Sequence, residues 1–401
     1  MKKIITISLC FILFACSNQH PETIDDIVKH SEKQFEYALK KIKPLQTEEK
    51  IFPRTLEDQE IKLVATKDWT SGFFPGTLWM MYELTGKDKW KAHALDYTLP
   101  LEVEQWNAND HDIGFKMYCS YGWAIKYLDN PEFKEILIQS AKTLSTRYNP
   151  VVGCIRSWNS NPKTAHWKYP VIIDNMMNLE LLMWAAKETG NESFKEIAVK
   201  HAQTTAANHF RDDYSCYHVI DYDPETGEVI NKNTHQGAAD DSDWSRGQAW
   251  AVYGFTMMYR ETGMEEFLTQ AKHVADYLLT VDGLKDGKIP YWDFKAPNIP
   301  NEPYDASAAA VISSALFELY EFTSNEIYLS TAQKLLETLG TPQFLAQTGE
   351  NGGFLLTHST GSKPYKSEID VPLNYADYYF LESIIKSKRY EENQNLALSK
   401  E

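Results

Sequence analysis

The sequence predicts an all-α fold, a closed toroid of helical hairpins, on three observations. A weak unit recurs along the chain: an aromatic-rich apolar segment, a short polar turn, then an apolar residue opening a second helix. The segments flanking these turns carry helical spacing, and alternation of the kind that marks strands is scarce. Two-helix units bury their apolar faces only against neighbours, which a solenoid or a toroid achieves. Long, irregular connections between the helices favour the toroid, whose loops build a pocket at one end.

The repeats fall in order at 80–86, at 124–130 followed by Pro131-Glu132-Phe133, at 182–190, at 257–263 and at 316–325. Each turn ends on Gly86, Asn130, Gly190, Gly263 or Asn325, placed as the left-handed residue that follows a helix. Between them, Ile136, Ser140, Ala141 and Leu144 share one helical face, as do Ala271, Val274, Ala275 and Leu278. Only 217–222 and 352–356 alternate like strands. The composition, 43% hydrophobic in 401 residues, is that of a folded protein with ample core. No linker rich in Pro, Gly or Ser divides residues 22–392, so one domain is expected.

Residues 1–16 read as an address. Met1-Lys2-Lys3 is basic, 4–14 is an apolar stretch too short to span a bilayer comfortably, and Leu13-Phe14-Ala15-Cys16 resembles a bacterial lipobox. We expect Cys16 to carry a lipid that anchors a periplasmic lipoprotein, with plain secretion as the alternative. Cys119, Cys154 and Cys216 remain, without metal-type spacing. Buried free thiols are expected. A net charge of −16 repels phosphate backbones, which argues against nucleic-acid binding. The 11 Trp, 23 Tyr and 18 Phe suit both sugar stacking and a large core.

The inter-helix segments hold the candidate chemistry. Asp68-Trp69-Thr70-Ser71-Gly72 precedes a helix, with Thr70 or Ser71 as cap and Trp69 as a sugar platform. His111-Asp112-Ile113-Gly114-Phe115 and Asp174-Asn175-Met176-Met177-Asn178 open two more, each placing an aspartate where an N-cap belongs. Helix N-termini favour the carboxylate anion. Desolvation and mutual repulsion act the other way, and if they win one carboxyl becomes a general acid. In the polar run 231–250, Ser242 or Asp243 is expected to cap a helix; the three aspartates there lack a full calcium-loop ligand set. Arg246 and Trp250 are four apart, a guanidinium beside a ring, suited to an acidic sugar or to a structural ion pair. His218 is either a core histidine or a polar contact. Residues 358–363 form a hydroxyl-and-lysine segment in which Ser359, Ser362 and Lys363 are candidate sulfate contacts or a solvated turn. No phosphate loop, HExxH or GxSxG motif is present.

Taken together, the segments around Trp69, Asp112, Asp174 and 234–250 resemble glycoside hydrolase family 88, the unsaturated glucuronyl hydrolases. The resemblance implies a six-hairpin (α/α)6 barrel and an unsaturated acidic oligosaccharide as substrate, released by a lyase from chondroitin, hyaluronan or heparan. It implies Asp174 as the acid that protonates C4 of the 4,5-unsaturated uronate, and Asp112 as the second essential aspartate. It also implies His218, Gln236, Arg246 and Trp250 as substrate contacts and Trp69 as a pocket wall, with no cofactor or metal. The competing expectations are an unsaturated rhamnogalacturonyl hydrolase of the same fold and a non-catalytic glycan-binding lipoprotein.

Overall fold

Thr23 starts the first helix, its hydroxyl accepting from the Asp26 amide, in a computed structural model that describes residues 23–398. The helices are α1 (Ile24–Ile42), α2 (Phe73–Thr85), α3 (Asp88–Thr98), α4 (Ile113–Tyr118), α5 (Tyr121–Ala124), α6 (Pro131–Ser145) and α7 (Leu179–Thr189). They continue as α8 (Glu192–Asn208), α9 (Ser245–Thr262), α10 (Glu265–Thr280), α11 (Ala306–Thr323), α12 (Glu326–Leu339) and α13 (Asn374–Leu398). Burial sorts them into two layers. Every residue of 245–258 in α9 and of 306–319 in α11 is buried, as a helix enclosed on all sides requires. By contrast, α6 and α10 bury only a stripe, which includes the predicted positions Ile136, Ala141 and Leu144 and Ala271, Val274 and Leu278.

The inner helices form a closed ring. α2 touches α13, α13 touches α11, and the chain of contacts passes through α9, α7 and α4–α5 back to α2. α1, α3, α6, α8, α10 and α12 lie outside. The fold is an (α/α)6 barrel. Because inner and outer helices alternate, every long connection runs from the end of an outer helix to the start of an inner one. All of these connections therefore collect at one end of the barrel, while the tight turns lie at the other.

Those turns correct two details. Gly86, Gly190 and Gly263 are left-handed at φ 65°, 69° and 67°, where only glycine is free of strain. Asn130 and Asn325 are instead N-caps of the following helices, their side chains accepting from the Glu132 and Ile327 amides. Ser324 takes the left-handed position of the last turn. The expected caps at Thr70, Ser71, Ser242 and Asp243 are also absent. Asp68 accepts from the Thr70 amide and hydroxyl, and Asp243 binds Arg211 and the Tyr277 hydroxyl.

The long connections carry small antiparallel sheets: β1 (Phe52–Glu57) with β2 (Glu60–Val64), β3 (Tyr148–Asn149) with β4 (Cys154–Ile155), and β5 (Pro170–Ile172), β6 (Val219–Tyr222) and β7 (Val229–Asn233) together. A last pair joins β8 (Ser359–Ser362) to β9 (Ser367–Val371). The expected strand at 217–222 is largely β6, whereas 352–356 holds a short 3-10 turn and an isolated bridge at Leu356. Cys119, Cys154 and Cys216 are free thiols. Cys16 and the rest of the predicted leader lie outside the described residues. Among the described residues no helix is long and apolar enough to cross a membrane.

Candidate active site

The central sheet places the first carboxylate. Ile172 of β5 pairs with Val219 of β6, and the Ile173 amide bonds the His218 carbonyl. Just past the pairing, one residue back on β6 and two residues on from Ile172, His218 and Asp174 come together, with His218 Nε2 3.6 Å from Asp174 Oδ2. A similar pair forms at the start of α4, where His111 Nε2 is 3.4 Å from Asp112 Oδ1. Asp112 occupies the N-cap position without capping, and Asp174 lies inside a 3-10 turn (Ile173–Asn178). The capping expectation fails at both, which leaves the two carboxyl groups available for chemistry.

Hydrogen bonds fix both imidazole tautomers. The Phe115 amide donates to Asn178 Oδ1, which orients the Asn178 side chain so that its NH2 donates to His111 Nδ1. Backbone amides of His235 and Gln236 donate to His218 Nδ1 at 3.0 and 3.2 Å. In each ring Nδ1 is the acceptor, so the proton sits on Nε2, which lies near the aspartate without a formed hydrogen bond. Burial keeps both rings neutral, lowering His111 to about 3 and His218 well below its usual range. Gly114 makes the Asn178 contact possible: a Cβ there would lie 2.6 Å from Asn178 Oδ1.

Both aspartates hold protons more tightly than a free carboxyl. Burial raises Asp174 to about 7, against the Arg246 charge and the Trp250 indole N–H, which favour the anion. Asp112 also rises well above its usual value, through burial first and then the negative charges of Asp110 and Asp174, with Lys116 opposing. Desolvation and repulsion thus overcome any dipole effect. The side chains remain 14% exposed for Asp112 and 13% for Asp174, open to a ligand. Lys116 is wholly buried beneath them, 3.4 Å from Glu104 and 3.5 Å from Asp110, whose Oδ1 also accepts from the Asp112 amide.

Two carboxyls with raised pKa values, each beside a neutral imidazole, are thus brought together at the loop end of this barrel. Residues 41–401 match Glycosyl Hydrolase Family 88. The chain belongs to that family. It is 48% identical over 350 residues to an unsaturated glucuronyl hydrolase of Formosa agariphila, covering 86% of each chain. It is 31% identical to an unsaturated chondroitin disaccharide hydrolase of Streptococcus pyogenes, over 82% of this chain and 84% of that one. A solved unsaturated glucuronyl hydrolase specific for heparin superposes with a TM-score of 0.87 at 42% identity, over 92% of this chain and 99% of that one. The enzyme of Bacillus sp. GL1 gives 0.82 at 27%, over 92% and 97%.

In this family 88 chain the remaining predicted contacts divide. Trp69 is half-buried against Tyr375 and Phe115, with ring centres 5.0 and 5.7 Å away. Gln236 reaches the Gly361 carbonyl through its side-chain NH2 at 3.1 Å. Arg246 is held by protein partners. Its terminal nitrogens bind Asp305 and the Thr360 and Gly361 carbonyls at 2.5–2.7 Å, and only Nε stays unpaired. Trp250 is wholly buried between Phe115 and Tyr379, near Asp174 but with its indole N–H unpaired.

The 358–363 segment is largely strand β8. Ser359 and Ser362 bound a strand and have buried, unpaired hydroxyls, Ser359 being wholly enclosed. Lys363 pairs with Glu302. Sequence reasoning missed His111, Asn178, Lys116, Asp305 and the aromatic group of Trp158, Trp167, His235 and Tyr365. His111 had a signal in its adjacency to Asp112. Asp305, three residues before α11 reaches its Ala run, reads as a cap, which it is, but nothing local marks it as the partner of Arg246.

Proposed function

We propose that this hydrolase removes the 4,5-unsaturated uronic acid from the non-reducing end of lyase-generated glycosaminoglycan oligosaccharides, by hydrating the vinyl ether. The carrying observation is Asp174, protonated near neutrality and faced by the N–H of a neutral His218. Asp174 gives its proton to C4, and positive charge develops at C5 and the ring oxygen. The carboxylate left behind is stabilised by the His218 and Trp250 N–H groups and by the Arg246 charge. It then takes a proton from the water that adds at C5. The hemiketal so formed opens and releases the aglycone. No covalent glycosyl-enzyme arises, so carboxylate separation does not report stereochemistry as it does for ordinary glycosidases. Asp112, its amide held by Asp110 and its carboxyl 3.4 Å from His111 Nε2, keeps a second titratable carboxyl beside the reacting ring.

The relatives named for chondroitin disaccharides and for heparin support a glycosaminoglycan substrate. The lipobox-like Leu13–Cys16 supports a periplasmic lipid anchor, and Cys16→Ala should then move the protein from a detergent-dependent to a soluble fraction. The test of function is the ultraviolet absorbance of the conjugated double bond, followed when the protein meets unsaturated disaccharides from glycosaminoglycan and pectin lyases. Loss is expected with the first class, and in D2O the product should carry one deuterium at C4. Absorbance loss confined to the pectin fragments would point to a rhamnogalacturonyl hydrolase. Binding of either class without any loss would leave a glycan-binding protein.

A further inference from the structure

A cavity of about 300 Å3 lies inside the ring, lined by residues of the inner helices α4, α5, α7, α9 and α13. Phe115 and Tyr379 line it on the side of the catalytic floor. The same two rings pack on Trp250, each centred 5.4 Å from it, and Trp250 lies near Asp174. The cavity therefore sits beneath the catalytic centre. Its other end reaches the tight turns, because Lys126 and Arg260 stand four and three residues before Asn130 and Gly263. Lys126 and Arg389 are exposed at this rim, so the cavity opens there.

Most charges around this cavity are paired. Arg260 binds Glu180 and Glu318, Lys386 binds Glu318 and Glu382, and Arg389 binds Glu83. The Tyr253 hydroxyl also donates to Glu382 at 3.0 Å. Three polar groups are left over. Lys126 has neither a hydrogen bond nor an ion pair among the described residues; its ammonium rests over the Trp123 ring, 3.5 Å from the centre. The protein packed around Lys126 lowers it below the usual lysine range, although Glu180 and Glu382 favour its charge. An anion beside it would offset that desolvation. Glu180 uses Oε1 for Arg260 and keeps Oε2 without a partner among the described residues. Tyr379 is only 2% exposed, and its hydroxyl, close to Cys119, Glu180 and Glu382, is likewise unpartnered there.

We propose that this cavity is a second, non-catalytic binding site for a small polyhydroxy carboxylate, a sugar acid of monosaccharide size. Lys126 takes the carboxylate, Glu180 Oε2 and the Tyr379 hydroxyl take hydroxyl groups, and Tyr118 and Tyr253 wall the ring. The volume, that of about ten waters, lies at the small end of ligand pockets and suits one sugar rather than an oligosaccharide. No catalytic carboxyl takes part, so the site stands apart from the hydrolase reading.

The test is calorimetric titration of the full chain with glucuronate and with glucose, which differ by the carboxylate at C6. Glucuronate should bind about tenfold tighter, as expected for one charge-assisted hydrogen bond away from bulk water. Lys126→Met should erase that difference by weakening glucuronate alone, and Lys126→Arg should keep most of it. Cys119 lines the cavity and is partly exposed to it, so Cys119→Phe should fill the space and weaken both sugars. Cooperative thermal unfolding of each variant shows that the fold is kept; should Cys119→Phe not fold, the two Lys126 variants decide alone. Failure of the parent to bind glucuronate overturns the proposal. So does equal binding by the parent and Lys126→Met, which would place the ligand elsewhere.

Discussion

At the scale of single residues, the chemistry turns on which state burial favours. A carboxyl raised from 3.8 to about 7 is half protonated at neutrality, so activity should fall as pH rises through about 7, where Asp174 loses the proton it must donate. The same shift costs stability. The folded state keeps a proton that the unfolded chain releases above its ordinary pKa, so the stabilising contribution is complete below about 4 and lost as pH rises through about 7. Asp174→Asn should therefore abolish turnover while unfolding later than the natural protein, by about 1–3 kcal/mol at pH 8 and by almost nothing at pH 4. Urea titrations at the two pH values check this. Arg246 poses the opposite case. Its role is to neutralise buried Asp305 and bias Asp174, so Arg246→Met should destabilise the fold by about 3–5 kcal/mol, as expected when one partner of a buried ion pair is removed. Were Arg246→Met as stable as the parent and deficient only in KM, the guanidinium would be a substrate contact after all.

At the scale of elements, the site depends on how closely α4 approaches the 3-10 turn before α7. Gly114 permits that approach, and the approach sets the Asn178 amide and hence the His111 tautomer. Gly114→Ala should cost about 1–3 kcal/mol from overpacking and lower kcat more than it raises KM. An unaltered kcat would separate the tautomer from catalysis. The elements also explain what was legible in advance. The hairpin repeat showed because a left-handed glycine and an apolar stripe are local signals, visible at Gly86, Gly190 and Gly263. The caps misled because an aspartate just before a helix looks the same whether it bonds its own helix or faces a histidine on another segment. Asp112 and Asp174 were found as residues, but their freedom from capping was not readable. The ion-pair partners of Lys363 and Arg246, Glu302 and Asp305, lie 61 and 59 residues away in sequence. Pairings at that range have no local pattern.

At the scale of the whole molecule, ring closure does the organising. Each inner helix is packed by its two ring neighbours, and α13 seals the ring against α2 and α11. No subset of hairpins keeps its apolar faces covered, so the barrel should unfold in one calorimetric transition and a chain ending before Asn374 should lack a cooperative one. Closure also gathers the six long connections at one end, which is why residues as distant in sequence as Trp69, Asp112, Asp174 and Arg246 come together there. The barrel was legible from repeats. The small sheets on those connections were not, apart from β6, because strands of two to six residues carry too little alternation to stand out.

The central claim is that Asp174 is an acid at neutral pH. A carbon-13 carboxyl titration of the labelled protein, assigned by the signal that Asp174→Asn removes, reads this directly. We predict a midpoint near 7, with the protonated form still abundant at pH 6; a midpoint near 4 would contradict the account.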